Sequence, residues 1–139
     1  MMESQLPRPR GTFRLRVFRR GLLLWEERGE SNLVVTTAQL VIARLLGGHA
    51  EQVTYLGVGT NGAAPAPSDT NLTNTVLTQV GEVSFPATGQ VRFSWVLGAA
   101  VANGLQIREF GLFSATGILV ARKTREAPIA KTSALSLEG

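Results

Sequence analysis

Residues 90–124, QVRFSWVLGAAVANGLQIREFGLFSATGILVARKT, constrain the fold more than any other stretch, because they read as three successive β-strands joined by two short glycine-containing turns. Val91, Phe93, Trp95 and Leu97 alternate with Arg92, Ser94 and Val96, the period-2 pattern of a strand with one buried face. Ala102-Asn103-Gly104 and Ala115-Thr116-Gly117 supply residues that tolerate positive φ, so the pattern predicts a three-strand meander. The middle strand breaks its own alternation: Leu105 and Ile107 share one parity, Phe110 and Leu112 the other. Either a bulge at Arg108-Glu109 turns both sets toward one core, or the strand is buried on both faces and Glu109 points inward to an arginine.

The rest of the chain reads as additions to that meander. Residues 1–10, with Pro7 and Pro9 spaced by arginines, form an extended, mobile arm. Phe13, Leu15 and Val17 alternate with Arg14 and Arg16, and with residues 22–27 they predict a hairpin over 11–27 whose Arg-rich edge discourages uncontrolled pairing. Residues 36–46 predict a helix, with Thr36 or Thr37 as N-cap and Gly47-Gly48 as the stop. Its apolar stripe is Ala38, Val41, Ile42 and Leu45, widened by Leu40 and Leu46, with Arg44 its only charge. A stripe this wide implies a largely covered helix, packed on its own sheet or on a neighbouring subunit. Further strands fall at 53–59 and 80–85, with a short helical turn around 72–77 and a last strand at 134–137 that is either a short edge or completed by a neighbouring chain.

Chemistry is sparse. Gly57-Val58-Gly59-Thr60-Asn61-Gly62 matches the spacing of a dinucleotide-binding fingerprint, but Ala63-Ala64-Pro65-Ala66-Pro67 follows, and no helix can open there to receive a pyrophosphate. His49 is the only histidine, Asp69 the only aspartate, and cysteine is absent, which leaves no triad, no thiolate and no metal-ligand spacing. Glu82 and Glu109 form a candidate carboxylate pair only if Arg92, Arg108 and Arg122 do not claim them first. The expectation is a protein that is not an enzyme and takes no cofactor or metal. No run has the length of a signal peptide or membrane span, so the chain is expected to be made and kept in the cytosol until used.

Charge is asymmetric. Six arginines against Glu3 give the first twenty residues a net +5 and leave the remainder at −1. Arg14, Arg16, Arg19 and Arg20 could neutralise phosphates, meet an acidic protein neighbour, or form a solvated face. Phe13, Phe18 and Trp25 accompany them as in single-strand nucleic-acid binders. Phe13 lies on the apolar parity, however, and Trp25 follows three leucines, which favours core aromatics.

Three segments combine into a recognisable pattern: NLVVTTAQLVIARLLGG, VTYLGVGTNGAAPAPSDTNLTN and ANGLQIREFGLFSATGILVAR. In this order they resemble a small structural module of bacteriophage tail and tail-fibre proteins. The module's Pro-Ser/Thr-Asp-Thr-x-Leu loop matches residues 63–72; its I-x-E-x-G-L-F strand matches Ile107, Glu109, Gly111, Leu112 and Phe113; its Leu-x-x-Arg strand matches Leu119 and Arg122. The resemblance spans about residues 32–137 and leaves the 11–27 hairpin unmatched. It implies a virion structural protein of the tail tip, baseplate or fibre, located in the virion tail. Its partners would be copies of itself, as a trimer or higher ring, and other tail proteins. Head decoration, a head–tail connector and a nucleic-acid-binding module are the alternatives.

The expected architecture is mainly β: an antiparallel β-sandwich or curled sheet with one packed helix at about 36–46, in a single β-rich domain over 11–139. The expected partner-binding residues are Arg14, Arg16, Arg19 and Arg20 together with Leu40, Val41, Leu45 and Leu46.

Overall fold

A computed structural model describes residues 9–139; of the mobile arm expected over residues 1–10, residues 1–8 lie outside the described residues. The elements, in chain order, are β1 (Gly11–Arg19), β2 (Leu22–Val34), α1 (Ala38–Leu46), β3 (Val53–Gly59), β4 (Val76–Gln79), β5 (Glu82–Ser84), β6 (Arg92–Ser94), β7 (Val96–Leu97), β8 (Gln106–Ser114), β9 (Leu119–Ala130) and β10 (Leu135–Glu138). Eight strands form one sheet in the order β4-β3-β8-β9-β2-β1-β10-β7, and β5 pairs with β6 apart from it. Every pairing is antiparallel. The two ends of the sheet meet where the Thr78 hydroxyl donates to the Val96 carbonyl at 3.4 Å, so the sheet curls into a nearly closed barrel. No described helix is long and apolar enough to cross a membrane.

Alternation fills the interior. Phe13, Leu15 and Val17 of β1 point inward with Leu56, Val58, Trp95, Leu97, Ile107, Phe110, Ile129 and Leu137. Leu15, Leu97 and Leu137 are completely covered, each contributing roughly 1.5–3 kcal/mol relative to exposure. Phe13, Trp95 and Phe110 form the aromatic centre, with ring centroids 4.9–6.2 Å apart. Trp25 lies at the margin of this core, half-buried beneath the Arg125 guanidinium, which stands 4.7 Å from its ring. The β1–β2 turn puts Arg20 at φ 48° and Gly21 at φ 82°, the two successive positive values of a type I′ hairpin turn.

The meander forms only in its second half. β8 and β9 pair across the Ala115-Thr116-Gly117 turn, but β7 pairs with β10 and not with β8. Ala102 and Gly104 do adopt positive φ, at 59° and 87°. They serve a loop tied to the end of β9 by the Gly104 N–H donating to Lys131 O. The predicted strand 91–97 is split, because β6 leaves the barrel while Trp95 exchanges two backbone hydrogen bonds with Gly139 at 3.0 and 3.1 Å. The last strand is therefore internal, flanked by β1 and β7, and has no free edge.

Three further expectations are corrected. The helical turn placed at 72–77 is instead a bend that leads into β4 at Val76, where the open edge of β3 finds backbone partners. The strand placed at 80–85 shortens to β5, and the first hairpin extends beyond 27 to Val34, where β2 turns to pair with β9. The parity break in β8 is real: between Ile107 and Glu109 the register advances two residues on β8 against five on β9. The extra residues thus lie on β9 and not at Arg108-Glu109, yet Ile107 and Phe110 both enter the barrel core, while Glu109 is buried and faces an arginine.

The helix begins at Ala38 and lies against β9 on the outside of the barrel. Thr37 occupies the cap position, but its hydroxyl donates to Leu119 O at 2.6 Å, which fastens the helix to β9 in place of capping it. Only Ala38 and Val41 are buried. The expected coverage of the whole stripe does not occur within one chain: Leu40, Ile42, Leu45 and Leu46 stay exposed.

Candidate functional site

The densest polar constellation is built on β8 and β9. Glu109 and Arg122 meet diagonally across the ladder, 0% and 3% exposed, with Arg122 Nε donating to Glu109 Oε1 at 2.9 Å. Glu109 Oε2 also accepts the backbone N–H groups of Asn61 and Thr73, each at 2.9 Å. The other arms of Arg122 reach Asp69 Oδ2 and Asn61 O, both at 2.9 Å, and Asp69 Oδ2 accepts the Ala66 N–H. These bonds pin both limbs of the 60–75 loop to the barrel wall. Both carboxylate oxygens of Glu109 and all three guanidinium nitrogens of Arg122 are engaged, so the arrangement orders a loop.

The glycines of the rejected nucleotide motif belong to this cluster. A Cβ on Gly59 would stand 2.5 Å from Glu109 Oε2 and 2.6 Å from Thr73 O, and one on Gly57 would stand 2.5 Å from Phe113 Cε2. Their spacing follows from β3 passing against Phe113 and Glu109. Glu82 stands exposed on β5 and does not join Glu109, so the candidate carboxylate pair does not form.

Two further buried charges act as fasteners. Glu51 accepts from Thr116 Oγ1 at 2.6 Å, the Thr116 N–H at 3.2 Å and Arg44 at 2.7 Å, joining the end of α1 to the β8–β9 turn. The Thr116 hydroxyl bond, with Arg44 in support and against the opposing effect of burial, holds its pKa below the ordinary 4.5. Lys131 Nζ is enclosed by Ala99 O, Asn103 Oδ1 and Thr132 O at 3.2, 2.9 and 3.0 Å, and burial lowers its pKa from 10.5.

The expected partner-binding residues separate into groups. Arg14, Arg19 and Arg20 are exposed, whereas Arg16 is half-buried and paired with Glu138. Leu40 and Leu45 are 45% and 44% exposed and Leu46 is 85% exposed; Val41 is buried at 3% and presents nothing to a partner. Topology keeps the two groups apart. Arg19 and Arg20 lie at the β1–β2 turn, while the C-terminal end of α1 is tied to the β8–β9 turn at the other end of the barrel.

Two apolar surfaces were not anticipated. One is Leu22, Leu23 and Leu24 beside the β1–β2 turn, 73%, 53% and 51% exposed. The other is the β5–β6 arm, which carries Val83, Phe85 and Val91. Nothing in the alternation of residues 80–97 indicates that β5 and β6 leave the sheet.

The fold thus defines a mainly β protein, a curled antiparallel sheet of eight strands with one external helix among the described residues. Comparisons with protein-family models, curated proteins and solved structures find no match.

Proposed function

We propose that this chain is a bacteriophage virion structural protein of the tail tip, baseplate or tail fibre, acting as a self-assembling subunit that joins other tail components. The observation that carries the interaction reading is a contrast. The buried charged groups Glu51, Glu109, Arg122 and Lys131 are engaged inside the chain, while large apolar side chains stand exposed on α1, on the β1–β2 tip and on the β5–β6 arm. Soluble monomers rarely leave several contiguous apolar surfaces uncovered.

The phage assignment rests on the resemblance, and the geometry gives its motif residues a shared purpose. Glu109 and Arg122, from the I-x-E-x-G-L-F and Leu-x-x-Arg positions of the third matched segment, bind the Asp69 loop of the second. Antibody labelling of intact particles by electron microscopy tests this reading. Signal at the tail tip or fibre base supports it; signal on the head, or absence from purified particles, overturns it.

A further inference from the structure

We infer that the β5–β6 arm of one copy seats on the outward face of α1 of the next copy, in a heterologous contact that repeats around a ring. This inference rests on the self-assembling reading above and names its interface. Residues 76–97 run from β4 out along the β5–β6 hairpin and back to β7. β4 and β7 stand at the two ends of the sheet, joined by the Thr78–Val96 hydrogen bond, and β5 and β6 pair only with each other. A two-stranded ribbon is marginal in water without a third surface. This one nevertheless carries Phe85 at 77% exposure, with Val83 and Val91 at 48% and 49%.

Placement selects the occupant. The pairs Tyr55↔Gln79 and Val53↔Ser114 put the base of the arm at the same end of the barrel as the β8–β9 turn, to which Glu51 ties the end of α1. In sheet order, the arm leaves at the β4/β7 seam, while α1 is fastened to β9, halfway round the wall. Two unlike apolar surfaces at one level on opposite flanks are what side-by-side copies use to form a head-to-tail ring.

Charge agrees. The arm tip, residues 85–91, has no ionisable side chain, and Arg44, the one charge on α1, is already bound to Glu51. The tip therefore brings no charge to the contact, while the exposed Glu82 and Arg92 lie nearer the base of the arm. Leu22, Leu23 and Leu24 fit the arm less well, since Arg19 and Arg20 flank them and they lie at the opposite end.

The test uses the full chain at micromolar concentration in sedimentation velocity, with Phe85→Asp and Leu46→Asp variants. Both positions are exposed in the single chain, so each variant should keep the wild-type melting temperature. Wild type should sediment as a closed oligomer. Each variant alone should sediment as a monomer, weakened at least about thirtyfold. An equimolar mixture should give a dimer and nothing larger, because one intact arm meets one intact helix face. Dimers of Leu46→Asp alone would mean that arms pair with arms and would overturn the inference. Wild-type assembly by both variants would overturn it while leaving self-assembly standing. A monomeric wild type would overturn both.

Discussion

Arg122 and Glu109 meet at 2.9 Å on neighbouring strands, both buried, and between them hold Asn61, Asp69 and Thr73. Removing one member leaves an uncompensated buried charge, which costs about 3–5 kcal/mol. Arg122→Met and Glu109→Gln should each fall in that range in urea unfolding. The double variant should lose clearly less than the sum, because the second change removes a group already stranded by the first.

Gly59 is held to glycine by contact distance. An added Cβ would stand 2.5 Å from Glu109 Oε2 and 2.6 Å from the Thr73 carbonyl, and a backbone carbonyl cannot turn away as a long side chain can. Gly59→Ala should destabilise by about 1–3 kcal/mol. Limited proteolysis should then cut within residues 60–75 earlier than in wild type, since the loop's anchor is what the clash displaces.

How much of this was legible follows from which interactions are local. The β1 alternation and the turn at Ala115-Thr116-Gly117 were readable because side-chain parity and positive φ are written within a few residues. The partner of β7 was not, because residues 96–97 bond to 137–138, and nothing in either segment names the other. The wide stripe on α1 was readable as a pattern, but periodicity does not reveal that only Ala38 and Val41 are buried within one chain. Glu109 was flagged by its parity break, whereas Asp69 looked like an ordinary loop residue until the fold brought it 2.9 Å from Arg122.

Glu51 gives stability a defined pH dependence. Its folded pKa lies below 4.5, mainly through the Thr116 hydroxyl, so the folded state binds fewer protons than the unfolded state as acid is added. The contribution is complete above the unfolded value and is lost as pH falls from about 4.5 through the folded value. Thermal melts of Glu51→Gln and wild type should therefore differ most near neutrality and converge in acid. A constant gap down to low pH would contradict this assignment.

Arg20 is a non-glycine residue at φ 48° followed by Gly21 at φ 82°, where an Asn-Gly pair is the strongly preferred solution. Its side chain is exposed and the left-handed region costs such a residue roughly 1–2 kcal/mol. Arg20→Asn should raise stability by a fraction of that amount, read as a higher denaturant midpoint at unchanged slope.

The basic face contains its own control. Arg16 pairs with Glu138 of β10 and lies over the Phe18 ring, 5.7 Å from its centroid, whereas Arg14, Arg19 and Arg20 are exposed. If the face docks an acidic neighbour in the particle, Arg14→Gln, Arg19→Gln and Arg20→Gln together should leave the melting temperature within a degree or two and reduce incorporation into virions. Truncating desolvated charge pairs across an interface costs about 2–5 kcal/mol each. Arg16→Gln should do the reverse, lowering stability by about 0.5–1 kcal/mol through a partly screened pair while changing incorporation less. Equal incorporation of the triple variant and wild type would make this face simply solvated. Incorporation that fell with Arg16→Gln alone would place the docking charge on β1 beside Glu138 and away from the turn.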